Sequence, residues 1–424
     1  MELQALSGME DYLGNRAEDL RELIDCGRRV FSAAGYRMVS TPVLEDGRLF
    51  DRSLGSGSDV VSKEMYTVEQ GGDRVVALRP ENTAGVVRMV NEKGLTSDHN
   101  QLKFYYAGPM FRHERPQSGR LRQFHQLGLE VIGRSGPRID AEVIALARDY
   151  LRRVEVEKTT LLLNSVGCSQ CRPGYVDQLR DKLEPLAAKM CEDCDRRLRE
   201  NPLRVLDCKN ENCRQLYRRE VPRLPAFICD KCQDHFAELR QLLEVYGVDY
   251  EVDPYLVRGL DYYSRTAFEF TSAALGEQDA VLAGGRYDGL VEELGGSSAA
   301  AIGFSAGLER LMILRGSYES EETDVRVDVY FIPMNEEIYR SMLPLAAACR
   351  RAESPISVEV GNPDKSMKSQ LRRANRYDAR LTVICGPREH EAGEITLKYM
   401  DSGEQETVPY SNIDEFVNTI RENL

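Results

Sequence analysis

The segment Leu256–Phe270, LVRGLDYYSRTAFEF, sets an arginine, an aspartate and two adjacent tyrosines on a short turn ahead of an alternating apolar run. An arginine fork can hold an anion, and phenol hydroxyls beside it can orient a polar ligand. Alternation places neighbouring residues of the run on opposite faces of a strand. Such a group is costly to bury for packing alone, so the turn is a candidate ligand site.

Further segments carry related groups. Phe104–Glu130 reads as strand, loop and strand, with Arg112, Glu114, Arg115, Arg120 and Arg122 on and around the loop. A period of two puts Arg112 with Glu114, and Gln126 with Glu130, on shared strand faces. A hairpin with a solvated basic tip has the same composition. Leu78–Gly85 carries Glu81 and Thr83. Ala283–Leu290 is a glycine-rich turn with Arg286 and Asp288, where paired glycines let backbone approach a ligand closely. Ala301–Leu311 joins a strand of small residues to a helix with Arg310 in its first turns.

Cysteine use is uneven. Cys168 with Cys171, Cys191 with Cys194, Cys208 with Cys213 and Cys229 with Cys232 make closely spaced pairs. This is the spacing of structural zinc sites, and eight thiolates complete two tetrahedral sites. Disulfides are disfavoured in a reducing cytosol. Small buried cysteines and redox-active thiols are the competing readings, and spacing leaves open which pairs share a site.

These groups need a scaffold. At 424 residues the chain is long enough for several domains and a large core. A 42% hydrophobic and 29% charged composition is that of a globular protein, and a net charge of −13 argues against a general polyanion binder. No apolar run approaches the roughly 20 residues that cross a bilayer, and the N-terminus lacks the basic start and apolar core of a signal, so a cytoplasmic protein without a membrane partner is expected.

Helical spacing of Leu20, Leu23, Ile24, Val30 and Phe31 predicts a first helix, with Asn15 and Glu18 as a capping box and Gly35 at its end. A strand-like run from Tyr36 to Glu45 follows, broken by Pro42. Strands are expected at Val75–Leu78, Leu102–Ala107, Gln126–Ile132 and Leu161–Asn164, and a helix over Ala141–Arg153. Together they predict an α+β domain with an antiparallel sheet. Residues 167–250 read as a Cys-rich, mainly helical insertion that splits this domain into 1–166 and 251–318. Gly316–Asp324 reads as a polar linker. Over 325–424 strands alternate with helices, which predicts a separate α/β domain with a mostly parallel sheet. In it Lys365, Lys368, Arg372, Arg373 and Arg376 recur near helical spacing, as a nucleic-acid contact or a solvated helix face would.

With these segments in this order, the chain resembles the class II aminoacyl-tRNA synthetases, and among them the histidyl-tRNA synthetases. Pro42 matches the proline of the first class motif, at the family's dimer interface. Phe111–Glu114 matches the second motif and Gly303–Arg310 the third. Leu256–Tyr263 and Ala283–Gly289 match the two segments particular to the histidine enzymes. The match spans nearly the whole chain.

The resemblance implies ATP-dependent joining of L-histidine to tRNA(His) through a histidyl-adenylate, by a homodimer. It implies Arg112 on the α-phosphate, Arg310 on the γ-phosphate, and Arg258 between the α-phosphate and the histidine carboxylate. Glu114 would face adenine, and Mg²⁺ the outer phosphates. Glu81, Thr83 and Gln126 would take the substrate ammonium, Glu130 and Tyr263 the imidazole, with Tyr262 beside them. Arg115, Arg120 and Arg122 would reach the tRNA acceptor end, and the C-terminal domain would bind the anticodon. The cysteines lie outside the resemblance, because the family generally manages without them. Asn82 departs from the family's usual glycine; asparagine tolerates unusual backbone angles, so a local change rather than loss of function is expected there. A regulatory paralogue that binds histidine without charging tRNA, and a related synthetase for another amino acid, are the alternative readings. The first usually lacks the C-terminal domain and the catalytic arginines.

Overall fold

The computed structural model describes residues 3–55, 58–68, 75–96, 101–278, 280–318 and 326–424. The chain divides into two compact units, Met1–Tyr12 with Arg16–Ser320, and Leu13–Asn15 with Glu321–Leu424. Most of the expected linker, and Val325 at the expected start of the last domain, lie outside the described residues.

The larger unit is built on an eight-stranded sheet. Its order is Arg37–Met38, Leu102–Phe111, Gln123–Ile132, Ala301–Gly307, Ala280–Arg286, Ser264–Thr271, Thr160–Ser165 and Glu251–Val252. The inner pairings are antiparallel, as the alternating patterns predict, while the two short outermost strands pair parallel with their neighbours. Alternation sorts the side chains. Leu127, Leu129 and Val131 of one strand, with Phe268, Phe270, Ile302 and Phe304 of others, enter a core against the helices Gly14–Ala33 and Pro137–Arg153. Phe31 meets Phe304 edge-on at 5.9 Å, a geometry that adds about 0.5–1.5 kcal/mol beyond area burial. The intervening residues Gln126, Gly128 and Glu130 take the opposite face.

Local details differ from the pattern reading. The first helix begins at Gly14, so Asn15 lies inside its first turn rather than ahead of it. The 137–153 helix starts earlier than expected, with Pro137 in its first turn and Arg152 and Arg153 in its last. Proline is pre-organised for a helix start, and late basic residues complement the helix dipole. The 102–111 strand ends at Phe111, so Arg112 and Glu114 lie on the loop and not on a strand face.

The cysteine-rich stretch is helical, with helices Arg172–Leu183, Glu192–Glu200, Glu211–Glu220 and Asp230–Val245 joined by 3₁₀ turns. Its core includes Tyr175, Leu179, Leu198, Val205 and Tyr217 together with Cys194, Cys208, Cys213 and Cys232.

The smaller unit has a five-stranded sheet in the order Val358–Val360, Val329–Pro333, Leu381–Cys385, Glu394–Tyr399 and Gln405–Pro409. The first three strands are parallel; the last two form an antiparallel edge that the βαβ pattern did not anticipate. The Met367–Arg376 helix, capped by Ser366, leaves Lys368, Arg372, Arg373 and Arg376 exposed, with Lys365 exposed just before it. No helix among the described residues is long and apolar enough to cross a membrane.

Candidate active site

The polar face of the large sheet floors a cleft of about 760 Å³. Glu81, Thr83, Arg112, Glu114, Gln126 and Glu130 line it, as do Arg258, Tyr262, Tyr263, Arg310 and Arg120. Segments far apart in the chain are therefore brought to one place. Arg115, by contrast, is exposed on the loop and does not line the cleft. Arg122 lies beside the cleft, donating to the carbonyls of Glu114 at 3.0 Å and Ser7 at 3.4 Å.

At one end sits Glu130, 1% exposed. Thr83 Oγ1 donates to its carboxylate at 2.8 Å, Tyr287 Oη at 2.5 Å and Tyr106 Oη at 3.5 Å. Burial raises the Glu130 pKa to about 8, against the lowering effect of the Tyr287 and Thr83 hydrogen bonds. Register explains the room it has. Glu130 faces Gly303 on the next strand, and a Cβ on Gly303 would collide with the carboxylate. Likewise a Cβ on Gly128 would strike the Tyr106 ring. Glycine at these points is a spatial requirement of the site, not a turn requirement.

Glu81 caps the Thr83–Glu92 helix, accepting from the Thr83 and Ala84 amides at 2.6 and 2.9 Å. Burial raises its pKa despite these bonds. Asn82 has φ −119° and ψ −7°, so it does not need the positive φ that glycine allows, and the local change is in its side chain. That side chain accepts from Thr41 Oγ1 at 2.5 Å and Arg79 Nη1 at 3.3 Å, a polar tether that glycine could not make. Gln126 points a buried Oε1 that has no hydrogen-bond partner among the described residues.

The cationic end holds Arg112, Arg120, Arg258 and Arg310. Arg112 Nε donates to the Pro80 carbonyl at 3.0 Å, and its guanidinium lies 5.3 Å from the centre of the Phe124 ring. Arg310 Nε donates to the Gly119 carbonyl at 3.1 Å. Burial, then the nearby charges of Arg120 and Arg112, push the Arg310 pKa down. Arg120 is also pushed down, first by burial, and pairs with the buried Glu114. Arg258 pairs with Glu269; that carboxylate overrides the effect of burial and leaves the Arg258 pKa raised. Partly desolvated guanidinium groups that repel one another form a site for a polyanion. Tyr262 and Tyr263 lie between the two ends, their rings 4.7 Å apart. Arg265, at φ 52°, kinks the strand where it meets this loop, alongside a shift in register.

Sequence reasoning missed Tyr106, Tyr287 and Glu269. Tyr287 lies in the glycine-rich turn, directly after Arg286. Arg286 is fully buried and paired with Asp140 and Asp288, which makes it a structural residue. Glu269 had a legible signal: alternation sets it opposite Phe268 and Phe270, on the polar face.

The eight clustered cysteines form two groups, Cys168, Cys171, Cys229 and Cys232, and Cys191, Cys194, Cys208 and Cys213, each with its sulfurs within 4.8 Å of one another. The outer pairs in sequence share one group and the inner pairs the other, a nesting that spacing left open. Four sulfurs at the usual ~2.3 Å zinc–sulfur distance have tetrahedral edges of about 3.8 Å. The observed separations include 3.7 Å for Cys168–Cys171, 3.9 Å for Cys168–Cys229 and 3.8 Å for Cys191–Cys208. Disulfide sulfurs would lie at about 2.05 Å. The donor sets therefore fit a tetrathiolate metal ion.

Comparison with known proteins agrees with this geometry. The family model described as histidyl-tRNA synthetase matches residues 8–311, and one described as anticodon binding domain matches residues 328–423. The histidine–tRNA ligase of Halothermothrix orenii is 42% identical over 416 residues, 98% of this chain and 99% of the relative. That of Maridesulfovibrio salexigens is 44% identical over 410 residues, 96% of this chain and 98% of the relative. The crystal structure of apo histidyl-tRNA synthetase from S. aureus superposes with a TM-score of 0.81 at 30% identity, covering 99% of this chain and 100% of that one. The chain belongs to the histidyl-tRNA synthetase family, within the class II aminoacyl-tRNA synthetases.

Proposed function

We infer that the chain attaches L-histidine to tRNA(His) in two steps at this cleft. A histidine carboxylate oxygen attacks the α-phosphorus of ATP and pyrophosphate leaves, giving histidyl-adenylate. A terminal ribose hydroxyl of the tRNA then attacks the activated carbonyl, and AMP leaves. The observation that carries this reading is the pairing, in one cleft, of a desolvated arginine group with a buried, phenol-ringed carboxylate.

Two anions meet in the first step, so fixed cations are needed before reaction. Arg112 holds the α-phosphate, Arg310 the γ-phosphate, and Arg258 bridges the α-phosphate and the substrate carboxylate. Glu114 lies on the adenine side. When bound, Mg²⁺ would be held mainly by phosphate oxygens and water, as that ion prefers. The pairing of Glu114 with Arg120 and of Glu269 with Arg258 fits a site without a protein-built Mg²⁺ cage; Glu269 is the carboxylate that would share the ion. Glu81, Thr83 and Gln126 take the substrate ammonium, and the orphaned Gln126 Oε1 supports this. Glu130 and Tyr263 take the imidazole nitrogens, with Tyr262 alongside. A site of paired polar groups rejects analogues lacking them by about 10⁴–10⁵.

Arg115, Arg120 and Arg122 serve the tRNA acceptor end. Residues 325–424 are taken as the anticodon-binding domain and 167–250 as an insertion in the catalytic domain. The exposed Met38 and Leu44, on either side of Pro42, support a homodimer through this segment. The two cysteine groups hold zinc. The regulatory alternative is disfavoured by the retained Arg112, Arg258 and Arg310 and by the anticodon-binding match.

Pyrophosphate exchange over the twenty amino acids is the test. Exchange that depends on histidine alone supports the assignment. Exchange with another amino acid, or none with histidine, overturns it.

A further inference from the structure

The segment between Cys191 and Cys208 is closed on itself by sulfur. Both ends belong to the inner thiolate group, with Cys191 Sγ and Cys208 Sγ 3.8 Å apart. Between them run the helix Glu192–Glu200 and the 3₁₀ turn Pro202–Asp207. The far side of this ring touches the loop that carries Arg258, Tyr262 and Tyr263. Asn201 Nδ2 donates to Asp261 Oδ1 at 2.6 Å. Arg204 packs so closely on Gly259 that a Cβ there would lie 2.9 Å from its Nη1.

The ring is also anchored to the catalytic unit. Arg196 and Arg197 each donate to Asp59 at 2.6 Å, and Arg204 lies 3.5 Å from the same carboxylate. Lys63 reaches Asp193 at 3.0 Å. Asp59, Arg197, Arg204 and Asp207 all line the catalytic cleft. The insertion is thus one wall of the site. That wall is short, rich in charge, and has both its ends at the inner four-thiol group.

We propose that the inner centre is a metal brace for the substrate loop: a tetrahedral ion on Cys191, Cys194, Cys208 and Cys213 closes the ring, and the ring, through Asn201 and Arg204, sets the position of Arg258, Tyr262 and Tyr263. The proposal rests on the zinc reading of the thiolates. Closing a chain segment removes conformational freedom from it, and in metal-dependent modules ligand binding and folding are coupled. Asn201 and Arg204 are positioning residues, because they touch the loop and not the reacting atoms. Their effect falls mainly on histidine, because Tyr262 and Tyr263 ride on the braced loop. Arg112 and Arg310 stand on other segments, so ATP binding is affected less.

The test uses full-length enzyme, with metal content by elemental analysis and KM values by pyrophosphate exchange. Wild type carries two zinc ions per chain. Cys208→Ser retains one and raises the histidine KM by about tenfold or more, with a smaller change for ATP. Asn201→Ala keeps both ions and moves the histidine KM in the same direction. A folded Cys208→Ser enzyme that has lost one ion but keeps a wild-type histidine KM and kcat overturns the brace and leaves the zinc reading standing. If Cys208→Ser does not fold, Asn201→Ala decides, and wild-type kinetics in it overturn the brace. Wild-type enzyme with a folded insertion and no zinc overturns the metal reading itself.

Discussion

The Thr83 hydroxyl donates to the Glu130 carboxylate at 2.8 Å, tying the start of a helix to the far end of a sheet strand 47 residues later. Through this bond the groups assigned to the two ends of histidine share one rigid network, from Glu81 at the helix N-terminus to Tyr287 across the sheet. A network of this kind is pre-organised for its ligand, and each member is expensive to disturb.

Glu130 gives a pH-dependent prediction. Folding raises its pKa from 4.5 to about 8, chiefly by burial. The folded chain therefore binds this proton more tightly than the unfolded one. The cost of ionising the group is absent below the unfolded value, grows as pH rises through that window, and is complete above about 8. Glu130→Gln removes a titrating group, so its thermal midpoint relative to wild type, without substrate, rises as pH increases across the window. A flat difference contradicts the burial argument. The same substitution weakens histidine binding by up to about tenfold, the net loss of one hydrogen bond.

Arg258 is held by Glu269 before any substrate arrives. Arg258→Ala cuts adenylate formation by about 10²–10³, the usual cost of one pre-organised charge contact, and changes ATP binding much less. Single-turnover adenylate formation set against ATP titration makes the distinction. A near-normal rate means the residue has another job.

Arg286 and Asp140 are both fully buried and paired. Asp140→Ala removes the fully buried partner of this guanidinium, leaves it only the partly exposed Asp288, and destabilises the fold by about 3–5 kcal/mol. Asp140→Leu combined with Arg286→Met costs less than the single change, since it leaves no fully buried charge; Asp288 is partly exposed and keeps Arg265. Denaturant unfolding of the three variants measures this, and equal losses would show that the pair is not coupled.

The exposed Lys368, Arg372 and Arg376 lie one helical turn apart in sequence. Replacing all three by alanine raises the KM for tRNA and flattens its salt dependence, with a log–log slope lower by about 3 × 0.7–0.9 if each residue contacts one phosphate. Histidine-dependent pyrophosphate exchange stays at the wild-type level. Unchanged tRNA charging would remove this helix from the tRNA contact.

Much of the molecule is legible along the chain because its signals are local. The alternation of Leu127, Leu129 and Val131 against Gln126, Gly128 and Glu130 states which strand face enters the apolar core and which faces the polar site. The spacing of the cysteine pairs states a metal chemistry, and the arginines in their motifs state an anion. Other features depend on distance through space. Nothing in the order of residues says that Tyr106 and Tyr287 flank Glu130, because those contacts cross from strand to strand. Arg286 and Arg258 look alike in sequence, each near a turn that carries an aspartate. Only packing separates them: one meets Asp140 inside the core, the other faces the cleft.

Sheet and helix patterns, the family motifs and the set of eight thiols are written along the chain, since propensity, periodicity and residue chemistry act over a few positions. The tertiary structure decided which cysteines share a centre, how Asn201 and Arg204 reach the substrate loop, and how far the Glu130 pKa moves. Those outcomes depend on through-space distance and on the removal of water, and both exist only once the chain has folded.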